Sequence, residues 1–183
     1  YDSVIGRAEA LLKENIAGDI KTEVMYLYAA ALYQQKQFER AGAVIDDILK
    51  EFPATIFREN VLGQGLWVAY ERRDRAAFND YFKRLEAEYP ESLLRAEGYF
   101  LRGELLQEER SFSDAAEAYA KVLEVNAVSR FADASMYKRA QCLKAAGNDS
   151  EAYDVFYTYS TKGTTFGNEG QNGSTTKPQP VYL

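Results

Sequence analysis

The chain repeats itself with a period of 37 residues, and this period constrains the fold more than any other feature. Two series of residues keep the spacing, one mostly alanine and one of large apolar side chains. They are Ala41, Phe78, Ala115 and Ala152, and Ile45, Phe82, Tyr119 and Phe156. Self-similarity at a fixed period is typical of stacked repeat proteins. Because one repeat cannot bury its own apolar face, neighbouring repeats must stack to form a core.

Composition and charge argue against several classes of function. The chain has 183 residues, a formal net charge of −6 and no histidine. Nucleic acids and anionic lipids bind basic surfaces, so neither is an expected partner. Without histidine, the commonest general base and the commonest metal ligand are both missing. We therefore expect no enzyme activity, no catalytic residue, no cofactor and no metal site.

Two further features of the composition concern the membrane and the redox environment. No run of 18 apolar residues occurs, so the sequence predicts no membrane-spanning helix. Cys142 is the only cysteine, which leaves the redox compartment open. Because it falls among small residues on a predicted helix, we expect a buried apolar side chain rather than a reactive thiol.

Each repeat predicts two helices separated by a short polar break. Between residues 96 and 125, apolar residues recur at helical spacing on both sides of a break at 109–113. Ser113 is the predicted N-cap of the second helix of this pair. Pro53 and Pro90 are predicted to end second helices, because proline cannot continue an α-helix. The predicted fold is therefore all-α and built from antiparallel helix pairs.

The predicted repeat domain covers residues 1–160. It comprises a half repeat over 1–20 and full repeats at about 22–53, 59–90, 96–127 and 133–160. In the half repeat, Val4, Ala8, Leu11 and Leu12 are in phase with apolar residues of later second helices. We infer a start in mid-repeat, through fragmentation or loss of the preceding helix. A lone N-terminal capping helix is the alternative.

Tyr99, Gly103, Ala115 and Tyr119 form a pattern of a large residue, a small residue, an alanine and an aromatic residue. Two other repeats match parts of the same pattern, through Ala29, Ala41, Ile45 and Pro53, and through Ala140, Ala152 and Phe156. In this pattern the repeats resemble tetratricopeptide repeats. The departures are Phe78 for alanine, Ala127 for proline and Arg102 for leucine. The resemblance covers about 160 residues and implies a right-handed superhelical α-solenoid.

The long period and the joints between repeats resemble one branch of that family. The joints at 89–96 and 127–132 are similar to those of bacterial envelope proteins. These are the lipoprotein that helps assemble outer-membrane β-barrels and the periplasmic partner of the Tol–Pal system. The narrower resemblance implies a periplasmic or envelope-associated protein, with the cytoplasm as the alternative.

In the family, one face of each first helix lines a concave groove. The equivalent positions here are Tyr26, Ala30, Tyr33, Gly63, Trp67, Tyr70, Phe100, Glu104, Gln107, Tyr137, Gln141 and Lys144. The predicted partner-binding residues are Tyr26, Tyr33, Trp67, Tyr70, Phe100, Tyr137 and Gln141. Trp67 is expected to contribute most to binding, because the small residues Gly63 and Gly65 beside it leave its ring face open. Such a groove suits an extended peptide with apolar or proline side chains. The alternative is that several of these rings pack inside the stack.

Residues 161–183 form a predicted Gly/Asn/Thr-rich C-terminal tail. Its proline-containing end, 177–183, favours an extended path. We hypothesise that the tail docks in the groove of its own chain or of a neighbour. The alternatives are a lattice contact or an expression remnant, and deletion of 167–183 separates them.

Two functions follow from the resemblance. The first is a non-catalytic scaffold that binds a protein or peptide partner in the aromatic groove. The second is an assembly module that stacks on upstream repeats or on another copy of the chain. The half repeat and the tail are the candidate segments for self-association.

Overall fold

A computed structural model describes residues 1–14 and 16–165, with side chains as far as residue 161. Within these residues all regular secondary structure is α-helical, which confirms the predicted fold class. The helices are α1 Asp2–Leu11, α2 Gly18–Gln34, α3 Phe38–Glu51, α4 Arg58–Glu71, α5 Arg75–Glu88, α6 Leu94–Glu108, α7 Phe112–Val125, α8 Ala132–Ala145 and α9 Asp149–Thr165. The first helices of the repeats are α2, α4, α6 and α8, and the second helices are α3, α5, α7 and α9.

The chain divides into two compact units. Unit 1 covers Tyr1–Ser92 and holds α1 to α5, while unit 2 begins at Leu93 and holds α6 to α9. In unit 1, α2 packs on α3, α3 on α4 and α4 on α5, and α1 packs on α2. In unit 2, α6, α7, α8 and α9 pack in succession. Short connections between these helices impose antiparallel neighbours, as the sequence predicted.

The turn inside each helix pair uses the same backbone device. One residue per turn has a positive φ, and these residues are 37 positions apart. They are Lys36 (57°), Arg73 (57°), Arg110 (62°) and Gly147 (85°). After each of them, the next backbone N–H donates to the carbonyl five residues back, as in Ser111 to Leu106 at 2.9 Å. This is the Schellman ending of a helix, in which glycine is usual.

The predicted helix boundaries agree with the structure at the prolines but differ in two places. α3 and α5 end at Glu51 and Glu88, each two residues before a proline. Ser113 lies inside α7, and its N-cap is Ser111, whose side chain bonds to Asp114 at 2.8 Å. The predicted N-cap is therefore wrong by two residues.

The second difference is the end of α9, which runs to Thr165 rather than ending at 160. Threonine hydroxyl groups in this last part of α9 are hydrogen-bonded to backbone carbonyls of the same helix. The Thr158 hydroxyl donates to the Asp154 carbonyl at 2.8 Å, and the Thr161 hydroxyl donates to that of Tyr157 at 3.0 Å. Both bonds run back along the helix to the preceding turn. The hypothesis of a docked tail concerns residues outside the described part of the chain.

The core lies between the two helices of each pair and, within each unit, between successive pairs. The residues of the 37-residue series are almost all buried, from Ala41 and Ile45 to Ala115 and Tyr119. Phe156 is the member that keeps part of its surface exposed.

Candidate functional site

Four of the predicted binding residues lie in unit 1, and all four are buried. Tyr26 is 8% exposed, Tyr33 and Trp67 are each 6% exposed, and Tyr70 is 4% exposed. Tyr26 stacks on Phe57, the residue just before α4, with ring centroids 5.9 Å apart and an interplanar angle of 17°. Burial raises the pKa of Tyr26, partly offset by a hydrogen bond with Asn60. This ring therefore ties α2 to the start of α4.

Tyr33 makes a second link between the first helices of unit 1. Its ring lies 5.4 Å from that of Phe38, measured between centroids. Burial raises the pKa of Tyr33, and the negative charge of Glu71 raises it further through proximity and a hydrogen bond. Since Tyr33 belongs to α2 and Glu71 to α4, the phenol joins two predicted groove helices.

The expectation of an open Trp67 face is wrong. Glycine at position 65 was expected to leave free space, but the ring of Tyr81 fills it. A Cβ added at Gly65 would lie 2.9 Å from Cδ2 of Tyr81. The Tyr81 hydroxyl also donates to Asp46 at 2.5 Å, and burial followed by that contact raises the pKa of Tyr81. The small residue therefore admits a neighbouring helix rather than a ligand.

The role of Tyr81 does not follow from the 37-residue series, because that series contains its neighbour Phe82 instead. A signal for it does exist in the sequence. Gly65 and Tyr81 are 16 residues apart, as are Gly103 and Tyr119 in unit 2. A glycine followed at this distance by a tyrosine marks where the second helix of a pair presses a ring onto the first.

In unit 2, the predicted groove positions on α6 are also engaged internally. Phe100 is 6% exposed and stacks on Phe131, with centroids 4.7 Å apart. The Tyr119 hydroxyl lies 2.6 Å from Oε1 of Glu104, and Lys138 Nζ lies 2.7 Å from the same oxygen. This network joins α6, α7 and α8 through one carboxylate.

Tyr137 and Gln141 are the predicted binding residues that the structure leaves accessible. Both lie on α8 one helical turn apart, and Tyr137 is 46% exposed. The Tyr137 ring meets Phe156 edge-on, with centroids 6.0 Å apart, and lies 6.1 Å from Tyr159. Unit 2 therefore brings an open aromatic side chain and an open amide together on one helix face.

Helix α1 carries a further apolar surface. Tyr1 is 65% exposed, Val4 43% and Leu11 41%, whereas Ala8 is buried against the rest of unit 1. The helix is held by Glu9, which accepts hydrogen bonds from Tyr28 at 2.9 Å and from Arg40 at 2.7 Å.

Chemistry-bearing groups are sparse in the part of the chain that the structure describes. Cys142 is 1% exposed, and burial raises the pKa of its thiol, which confirms the predicted apolar role. Among residues 1–14 and 16–161, no cluster of acidic residues and cysteine is arranged to hold a metal ion. None of the described helices is both long and apolar enough to cross a membrane.

The helix pair α2–α3 is the part of the structure that a known repeat family matches. It joins two helices through a Schellman turn and buries alanines at their interface. Residues 23–55 match the tetratricopeptide repeat family. The tetratricopeptide match covers the first full repeat predicted from the sequence, and repeats of this family generally mediate protein–protein interaction. The bacterial envelope branch is not part of that match. No curated protein matches the chain.

Proposed function

We propose that this protein is a non-catalytic scaffold that binds a peptide or protein partner on the groove faces of its first helices. The match of residues 23–55 to a repeat family that mediates protein–protein interaction carries the proposal. The aromatic character of the groove positions supports a partner with apolar or proline side chains.

The predicted binding residues of the two units differ in exposure. In unit 2, Tyr137 and Gln141 offer direct contact through an exposed ring and an exposed amide. Phe100 lies on the neighbouring helix, buried against Phe131. In unit 1, Tyr26, Tyr33, Trp67 and Tyr70 are all buried. These rings would support the surface of the first helices from below rather than contact the partner directly.

Crosslinking and affinity capture from the source cell test the proposal. The full chain is compared with Tyr137→Ala/Gln141→Ala, two changes at exposed positions, and unfolding curves establish that the variant is folded. Tyr1→Ala, which removes another exposed tyrosine, is the matched control. We expect a partner captured by the parent and by Tyr1→Ala but lost with the double variant. Equal capture by all three would place the binding surface elsewhere.

We also propose that the protein acts in a bacterial envelope complex, as a periplasmic protein or a lipoprotein. The support is the 37-residue period and the joints at 89–96 and 127–132. Cell fractionation with antibody detection tests this compartment. Recovery in the cytoplasmic fraction would contradict it.

A second function, assembly through the end of the stack, is favoured by the exposed side chains of α1. Tyr1, Val4 and Leu11 form an exposed apolar strip that borders the packed face of α1, where Ala8 is buried. Stacking on upstream repeats or on another copy would cover this strip. Sedimentation over a range of concentrations tests self-association, and Val4→Asp/Leu11→Asp should abolish any increase in mass.

A further inference from the structure

Unit 2 exposes a concentration of aromatic rings on its last helix pair. Tyr153 is 69% exposed and Tyr157 60%, and both lie on α9 one helical turn apart. Their rings stack with centroids 6.4 Å apart and an interplanar angle of 18°. We call this pair, with the acidic residues beside it, the α9 aromatic face. Tyrosine is enriched at protein interfaces, whereas exposed apolar side chains elsewhere are usually scattered.

The 37-residue period shows what the same face does on other second helices. Tyr153 is in phase with Gly42 on α3 and with Ala116 on α7, which are both buried, and with Asn79 on α5, which is exposed. A Cβ added at Gly42 would lie 2.6 Å from Nη1 of Arg72 and 3.5 Å from Cγ1 of Val68. Val68 lies in α4 and Arg72 caps its end. At Gly42, this phase of a second helix therefore lies in van der Waals contact with the following first helix.

Tyrosine at position 153 is incompatible with that kind of contact. At Gly42, even a single added carbon meets the next helix, so a phenol ring at this phase would hold such a helix away. A helix with its side chains is about 10–12 Å across. An extended chain is narrower, since neighbouring strands lie about 4.7–4.9 Å apart. The α9 aromatic face thus suits an extended segment lying along the rings better than another packed helix.

The charged residues of α9 indicate which side chains a bound peptide would carry. Between Asp149 and Thr161 every charged residue is acidic. Asp149 precedes Tyr153 by one turn on the same stripe, and Asp154 is adjacent to it in sequence and exposed. Glu151 is already bound by Arg139 at 2.7 Å. The rings are therefore bordered by carboxylates that would attract a basic side chain.

We propose that the α9 aromatic face binds an extended peptide that carries proline or aromatic side chains next to lysine or arginine. Proline-rich segments keep an extended conformation that docks on aromatic side chains. The cationic residue would interact with Asp149 and Asp154 and with the faces of the two rings. This surface lies on a second helix, so its occupancy is independent of the proposed groove on the first helices.

Peptide display tests the proposal with a defined probe. A library of random linear peptides is selected on the full chain, with subtraction on Tyr153→Ala/Tyr157→Ala. We expect enriched peptides that pair proline or aromatic residues with lysine or arginine. Their affinity should fall at least about tenfold on the subtracted variant, as for central aromatic contacts. Tyr153→Phe/Tyr157→Phe should retain binding, because the ring faces rather than the hydroxyl groups make the contact.

Controls separate this surface from the groove and from general stickiness. Tyr137→Ala/Gln141→Ala should bind the selected peptides as tightly as the parent does. The test of the α9 aromatic face therefore does not depend on whether the groove proposal is correct. Asp149→Asn/Asp154→Asn should weaken binding and reduce its dependence on salt. The proposal is overturned if no selected peptide depends on the tyrosine pair. It is equally overturned if concentration-dependent dimerisation is lost in Tyr153→Ala/Tyr157→Ala, because the face would then join copies of the chain.

Discussion

The ring of Tyr119 lies directly over Gly103, so closely that a Cβ at position 103 would be 2.6 Å from Cε1 of the ring. The ring is fully buried between α6 and α7, and its hydroxyl reaches Glu104. The absence of a side chain at Gly103 therefore sets the distance between the helices of this pair. The same relationship joins Gly65 to Tyr81 in unit 1.

Gly103→Ala should therefore destabilise the protein although alanine is the better helix former. Overpacking a filled core typically costs about 1–3 kcal/mol. Denaturant unfolding measures the change. Gly6→Ala is the matched control, because Gly6 also lies in a helix but nothing lies within 4 Å of its added Cβ. The control should gain up to about 1 kcal/mol. Equal effects at the two positions would contradict the close contact.

Truncation of Tyr119 should be more damaging than truncation of its repeat equivalent Phe156. Tyr119 is fully buried, so Tyr119→Ala should cost about 3–5 kcal/mol. Phe156 is partly exposed at the last helix pair, so Phe156→Ala should cost clearly less. Thermal and denaturant unfolding of both variants give the comparison. A larger loss for Phe156→Ala would mean that the last helix pair carries more of the core.

Glycine at the positive-φ positions should stabilise the helix-pair turns. Arg110 has a φ of 62°, a region that costs residues with a side chain about 1–2 kcal/mol. Arg110→Gly should therefore raise the free energy of unfolding by up to about 1 kcal/mol, after allowance for the greater freedom of glycine when unfolded. At the equivalent position, Gly147→Ala should lower the free energy of unfolding, because Gly147 has a φ of 85°. Unfolding curves that move in the same direction would refute the turn assignment.

An ion pair between α4 and α5 should make stability depend on pH. Arg58 contacts both oxygens of Glu88, and this hydrogen bonding holds the pKa of Glu88 below its usual value of 4.5. A lowered pKa in the folded state means that stabilisation is present above the unfolded pKa and is lost as pH falls through the folded pKa. Because Glu88 is largely exposed, the effect should be about 0.5 kcal/mol.

Unfolding of Glu88→Gln measures this contribution from neutral pH to below pH 4. The variant should be less stable near neutrality, and the difference should vanish in acid. Glu91→Gln, at an exposed position outside the helices, is the control and should follow the parent throughout. A deficit in Glu88→Gln that persists at the lowest pH would show that the charge is not its source.

Gln64 should be replaceable by an apolar residue with a gain in stability. It is 1% exposed, and within the described part of the chain neither polar atom of its amide has a hydrogen-bond partner. Its repeat equivalents are Leu27, Leu101 and Lys138. A buried polar group without a partner costs about 1–3 kcal/mol, so Gln64→Leu should be more stable than the parent.

Asn60→Leu is the contrasting variant. Because Asn60 hydrogen-bonds with Tyr26, this substitution should lower the stability of the protein. If Gln64→Leu also loses stability, the Gln64 amide must form a stabilising contact, which would contradict the prediction.

Several errors of interpretation share one cause. The repeat period located the helix pairs, and the prolines located the ends of α3 and α5, because both are properties of local sequence. Ser113 is a residue type that favours an N-cap, but residue type alone does not identify the residue at which the helix begins. Trp67 was expected to be open because a neighbouring glycine indicates space, yet the sequence does not say which side chain fills that space.

Local sequence is sufficient to predict that the chain is all-α and where its helices pair. These features follow from helical periodicity and from the clash of proline with a continuing helix, which act over a few residues. Only the tertiary structure decided which aromatic rings are buried and which face solvent. Tyr26 and Tyr137 occupy the same phase, but Phe57 covers the first whereas the second remains 46% exposed. Burial depends on what packs against a residue from elsewhere in the chain, and no local pattern contains that information.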